Sequence, residues 1–336
     1  MLVVRNKTVD IIRGIGIISI VIGHLGINAF TRVTFSFHIP VFYIISGFYL
    51  KEKSTATYFS QKIRTLLIPY VVTCLMVIIL SGFMSIFSGS ESFSVMQQWI
   101  LASLYGAGSD YKIPVAPIGA IWFLWASFWG GLFLQIGLRW KEPFRFLWIL
   151  FLFFFGWISS QKTFWYPLSI QAGCCATLYM YVGFCTKQYS EKLKAIPTKY
   201  KNLFRLLSTL VWFYFIYSFR SFYLVRNDFG RGLIDIIGSL CGCYCVYLIS
   251  SFIDKRLEIP SKILSYLGRY SIIVLCVHLT EMNLIDWWKV VDWFENYGLS
   301  STMGMILAVI MKLILIFGFT ILLSKNKQTR RLFGIS

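Results

Sequence analysis

Long apolar runs, each closed by a short polar segment, recur from one end of the chain to the other. A helix needs about 20 apolar residues to cross a hydrocarbon core. On that measure the runs predict ten helices, over 9–30, 35–50, 65–88, 117–138, 144–160, 165–185, 206–225, 232–253, 262–281 and 301–324. The second is short and carries Pro40, whose freed carbonyl would need a neighbouring helix to satisfy it. Segment 89–116, rich in Ser and Gly, reads as the longest outer loop. Segment 186–205, with six basic residues and Pro197, reads as the longest cytoplasmic loop, lying along an anionic leaflet. The pattern predicts an all-α, polytopic integral membrane bundle, with residues 1–336 forming one domain.

Composition points the same way. Of 336 residues, 57% are hydrophobic and only 14% charged, where soluble domains carry about 25% charged residues. Net charge is +18. The basic residues sit in the short segments between apolar runs, a pattern of cytoplasmic loops rather than of a nucleic-acid surface. With both termini cytoplasmic, 22 Lys+Arg fall in inner segments and 6 in outer ones. Acidic Glu281, Asp286, Asp292 and Glu295 then cluster outside, with Trp287, Trp288 and Trp293 as interfacial anchors. The first run is longer than a signal-peptide core and holds Asp10, Arg13 and His24, so it reads as a retained helix. All eight cysteines lie in apolar runs and read as small buried hydrophobes without a disulfide.

Ionisable groups inside such runs are costly and mark function by default. Arg13 and His24 are eleven residues apart, about three turns plus roughly 20°, so they share a face of the first helix. Asp10 lies about 60° from Arg13 on the same side. The chain has three histidines. Rise per residue places His24, His38 and His278 roughly 22, 18 and 24 Å above the inner edge. A histidine suits proton abstraction from a hydroxyl near neutral pH, and Arg13, low in its helix, suits the phosphates of a cytoplasmic donor. The plainer readings are a helix–helix hydrogen bond for each histidine and a snorkelling Arg13 paired with Asp10. Arg220, Asp235 and Lys312 read as structural or interfacial. The loop around Arg226, Asp228 and Arg231 is a candidate contact for an anionic glycan.

The string Asp10-Ile11-Ile12-Arg13-Gly14, then Gly23-His24, then Phe37-His38-Ile39-Pro40-Val41-Phe42-Tyr43-Ile44-Ile45-Ser46-Gly47-Phe48 resembles the acyltransferase 3 family of membrane O-acyltransferases, in its fucose 4-O-acetylase-like branch. Lys62-Ile63-Arg64-Thr65-Leu66-Leu67-Ile68-Pro69-Tyr70, Ile121-Trp122-Phe123-Leu124, and Leu267-Gly268-Arg269-Tyr270-Ser271 followed by His278 extend the resemblance. It implies a ten-helix fold, acetyl-CoA or another acyl-CoA as co-substrate from the cytoplasm, and an extracytoplasmic or lipid-linked glycan acceptor. It makes His24 and Arg13 the central pair.

The expected roles follow. His24 is the general base, assisted by His38; Arg13, Ser46, Gly47 and Arg64 hold the donor; Trp122, His278 and Asp10 meet the acceptor. No Gly-x-Ser-x-Gly elbow is present, so an acyl-serine step has no sequence support. No metal is expected. The expected partners are a glycan or lipid-linked sugar, membrane lipid and glycan-synthesis machinery, without nucleic acid, at a bacterial inner or plasma membrane. An exporter of a surface glycan or its lipid-linked precursor, or a structural subunit of a synthesis complex, fits the same pattern.

Overall fold

The computed structural model describes residues 6–25, 28–89 and 91–335. Arg5 and residues 26–27 of the first expected span lie outside them. The helices run α1 Lys7–Gly23, α2 Asn28–Phe35, α3 His38–Phe48, α4 Thr55–Lys62, α5 Ile68–Ser88 and α6 Ser92–Tyr105. They continue with α7 Trp122–Gly137, α8 Phe144–Lys162, α9 Ile170–Gln188, α10 Ser190–Ala195, α11 Thr198–Tyr217 and α12 Leu233–Arg256. The last are α13 Glu258–Arg269, α14 Ser271–Leu284, α15 Trp287–Asn296, α16 Ser301–Lys325 and α17 Lys327–Leu332. A two-stranded antiparallel ribbon, β1 Phe222–Tyr223 and β2 Asp228–Phe229, interrupts them. This is an all-α membrane bundle.

Five described helical stretches are long and apolar enough to cross a membrane, six if α13 and α14 count as one broken span. Ten spans would also have to include shorter helices such as α1, of 17 residues, and α7, of 16.

Several boundaries differ from the hydropathy reading. The first apolar run does not continue as one helix: α1 stops at Gly23 and His24 caps it. Pro40 is the third residue of α3, where the backbone N–H has no intrahelical acceptor anyway, so no carbonyl is orphaned. The first α3 bond is Val41 N–H to Phe37 O, at 3.0 Å. Within the expected outer loop lies α6; Gly89 and Gly106, at φ +70° and +67°, close the helices before and after rather than marking continuous coil. Gly82 lets α6 approach α5, because a Cβ there would fall 2.6 Å from Met96 Cγ. The expected basic loop 186–205 is mostly helix, made of the end of α9, α10 and the start of α11. The expected span 262–281 is bent by 73° between α13 and α14.

Close backbone crossings hold α1 and α3 in place. A Cβ on Gly14 would sit 2.1 Å from the Leu264 carbonyl oxygen, and one on Gly268 1.7 Å from that of Asp10. Thus α1 and α13 touch backbone to backbone. The pair Gly47 and Gly183 does the same for α3 and α9, with would-be contacts of 1.8 Å to Met180 O and 1.9 Å to Ile44 O. Thr8 and Lys7 add bonds to Asp254 at 2.6 and 3.6 Å. The first seam therefore fixes the helix that carries Arg13 and His24, and the second fixes the helix that carries His38 and Ser46.

Candidate active site

The lower end of α1 borders a narrow pocket of about 70 Å³, lined among others by Arg13, Phe42, Ser46, Lys62, Phe123 and Ser127. Arg13 is paired with the buried Asp10 at 3.7 Å and lies 5.9 Å from the Tyr49 ring centroid. Asp10 thus holds Arg13 at the pocket and does not itself line it. A π-helical stretch, Ile63–Leu67, joins α4 to α5 at the pocket wall; such turns are frequent at functional sites. Lys62, just before it, lines the pocket, while Arg64 is exposed and does not. Gly47 does not line it either; its place is the α3–α9 seam. The buried Ser127 Oγ has no hydrogen-bond partner among the described residues. Such an orphan in a pocket wall is a place for a ligand's polar group.

The upper end of α1 opens on a larger cavity of about 430 Å³ between α14, α15 and α16, with His24 and Lys312 in its wall. Eleven residues of helix separate Arg13 from His24, about 16 Å of rise. A chain of polar groups surrounds His24. Its Nδ1 lies 2.8 Å from Ile20 O and 3.2 Å from His278 Nε2. His278, fully buried, places Nδ1 2.8 Å from Glu281 Oε1. Lys312 Nζ sits 3.2 Å from that same oxygen, and Trp287 Nε1 donates to the other.

His38 is buried one ring away. Its Nδ1 meets Thr34 O at 2.7 Å, and its ring stands edge-on to Phe35 at 4.7 Å. Phe35 in turn faces His24 at 6.5 Å. His24 and His38 both sit at helix ends, where each ring satisfies a carbonyl of a terminal turn.

A family model described as an acyltransferase domain matches residues 6–325. The chain belongs to the acyltransferase 3 family. No curated protein and no solved structure matches it significantly. The family match supports a membrane acyltransferase, which must bind an acyl donor; it does not reach down to a branch of the family.

In this acyltransferase the hydrogen-bond chain sets the proton positions. A carboxylate only accepts, so Glu281 puts the His278 proton on Nδ1 and leaves Nε2 with a lone pair. His24 Nδ1 faces that lone pair and the Ile20 carbonyl, both acceptors, so its proton belongs there. His24 Nε2 is then unprotonated, and no described residue bonds to it. Such an imidazole nitrogen can take a proton from a hydroxyl in the cavity. The same logic leaves His38 Nε2 as an acceptor.

The structure brings His24 and His278 together, with His38 nearby, and Arg13 with Ser46. Trp122 stands apart. It is buried, a Cβ on Gly108 would fall 2.1 Å from its Cδ1, and it lines neither cavity. Arg231 is also committed elsewhere, bonded twice to the buried Asp235 at the start of α12. Three residues of the site went unassigned in the sequence: Lys62, Glu281 and Lys312. Lys312 carried a readable signal as the one cation in an otherwise apolar 24-residue run, and Glu281 stands one helical turn after His278. Among the described residues no group of three His, Cys, Asp or Glu is arranged to hold a metal ion. All eight thiols are free.

Proposed function

We propose that the protein transfers an acyl group, acetyl in the simplest case, from a cytoplasmic acyl-CoA to a hydroxyl of an extracytoplasmic or lipid-linked glycan, with His24 as general base. The observation that carries this reading is that His24, in the cavity wall, bonds through Nδ1 to Ile20 O and His278 Nε2, while its Nε2 bonds to no described residue.

The acceptor hydroxyl attacks the thioester carbonyl carbon as His24 Nε2 takes its proton. The new C–O bond forms and the C–S bond breaks. The thiolate leaves with the proton returned from His24, so the histidine ends as it began. His278 and Glu281 stabilise the transient imidazolium. Arg13 and Lys62 supply positive charge for the donor, and Ser46 and Ser127 offer hydroxyls to its amide-bearing arm. The narrow lower pocket suits that slender arm rather than the nucleotide, which stays outside. The two cavities at opposite ends of α1 fit a donor and an acceptor arriving from opposite sides.

The test is acetyl transfer in proteoliposomes, with labelled acetyl-CoA supplied on one face and a glycan panel on the other. Label on a glycan on the far face, lost in His24→Ala protein of normal abundance, is the expected result. Wild-type incorporation in that variant would remove His24 from the role. Unmodified glycan crossing the membrane without acylation would favour an exporter.

A further inference from the structure

The cavity at His24 has a wall unlike that of a sugar site. Of its fourteen lining residues, eight are aliphatic. The others include His24, Asn283, Asp286 and Lys312, and Lys312 Nζ is 5.8 Å from the Trp287 ring centroid. Met305, Ala308 and Val309 of α16 form another side. A free glycan entering from water would bury hydroxyls against this aliphatic wall without partners, at a cost for each.

The surroundings say where the apolar side leads. Helix α16 is thinly covered: Met303, Ile306, Ile310, Met311 and Ile314, interleaved with the lining residues, are exposed. In a bundle this apolar, such a face meets lipid. Helix α15, which lines the cavity beside α16, is amphipathic, capped by Asp286, and exposes Trp288, Trp293 and Tyr297. That is the pattern of a helix lying in the membrane interface. The cavity is thus bordered by an interfacial helix on one side and a lipid-facing helix on the other.

We infer that the acyl acceptor is an amphiphile, a sugar carried on a lipid tail, which enters from the membrane between α15 and α16. Its head group sits at His24, Lys312 and Trp287, and its tail lies along Met305 and Val309. This rests on the acyl-transfer reading of the same cavity and names its substrate class. The polar lining already includes the base, and a hydrocarbon chain is the occupant that matches the aliphatic majority of the wall.

The test separates tail binding from chemistry. A dodecyl glucoside bearing a diazirine at the end of its chain is photolysed with the full chain in phospholipid nanodiscs, and adducts are mapped by peptide. Saturable adducts on Met282, Met305 and Val309 are expected, falling about tenfold when Ala308→Trp or Met305→Trp fills the tail space. Adducts spread over the exposed faces of α5, α8 and α16, unchanged by both variants, would overturn the inference. In parallel, labelled acetyl is offered to dodecyl and methyl glycosides of the same sugars. Adducts in the cavity without acetylation of either would support lipid access and count against the acyl-transfer reading. Methyl acceptors used as well as dodecyl ones, with both filling variants silent, would sink lipid access and leave acyl transfer standing.

Discussion

The two ends of α1 are built differently. The Arg13 end is tight, about 70 Å³, and framed by seams in which Gly14, Gly268, Gly47 and Gly183 bring backbones into contact. The His24 end is roomy, about 430 Å³, and framed by side chains in a hydrogen-bonded chain. Backbone crossings tolerate almost no change in volume, since interiors are close-packed. A side-chain relay tolerates volume but not loss of a donor or acceptor. One end should therefore fail by misfolding and the other by chemistry.

The largest expected effect is at a seam. Gly268→Val drives a side chain into the Asp10 carbonyl and should cost about 4 kcal/mol or more, so folded protein in the membrane should collapse; normal abundance and melting behaviour would break the comparison. Next is His24→Ala, expected to lower acyl transfer about 10²–10⁴-fold at unchanged abundance.

Glu281→Gln comes third. It frees the His278 proton position and leaves Lys312 unpaired, an expected loss of about 1–3 kcal/mol, or roughly 5- to 150-fold in rate, with donor KM unchanged. Lys312→Met paired with Glu281→Gln should recover the part of the loss that appears in melting temperature, because the buried cation goes too. Fourth, Arg13→Lys keeps charge but loses the planar fork, and should raise donor KM about tenfold with kcat nearly kept. Smallest is Arg64→Ala, an exposed residue outside the pocket, with a change within about twofold; a large rise in donor KM there would redraw the donor pocket.

Much of this was legible from residue spacing. Helical rise alone aligned Arg13 with His24 and put three histidines at one depth; two of them touch and the third is one ring away. Helix ends were not legible, because hydropathy is continuous across the stop of α1 and across the bend at Tyr270. Gly47 read as a donor contact because a motif string marks a position without saying what it touches; here it touches Met180. Lys312 and Glu281 were not joined to the site because each was weighed singly against lipid and water, whereas they pair with each other across α14 and α16. Trp122 suggested a sugar platform by residue type; what residue type does not say is that the backbone at Gly108 covers its ring.

The most direct test is a kinetic split in proteoliposomes, varying labelled acetyl-CoA against one saturating glycoside acceptor. Two cavities serving two substrates predict that Arg13→Lys raises donor KM with kcat nearly unchanged, while His24→Gln lowers kcat with donor KM unchanged. Both variants lowering kcat alike at the same donor KM would contradict the division of labour along α1.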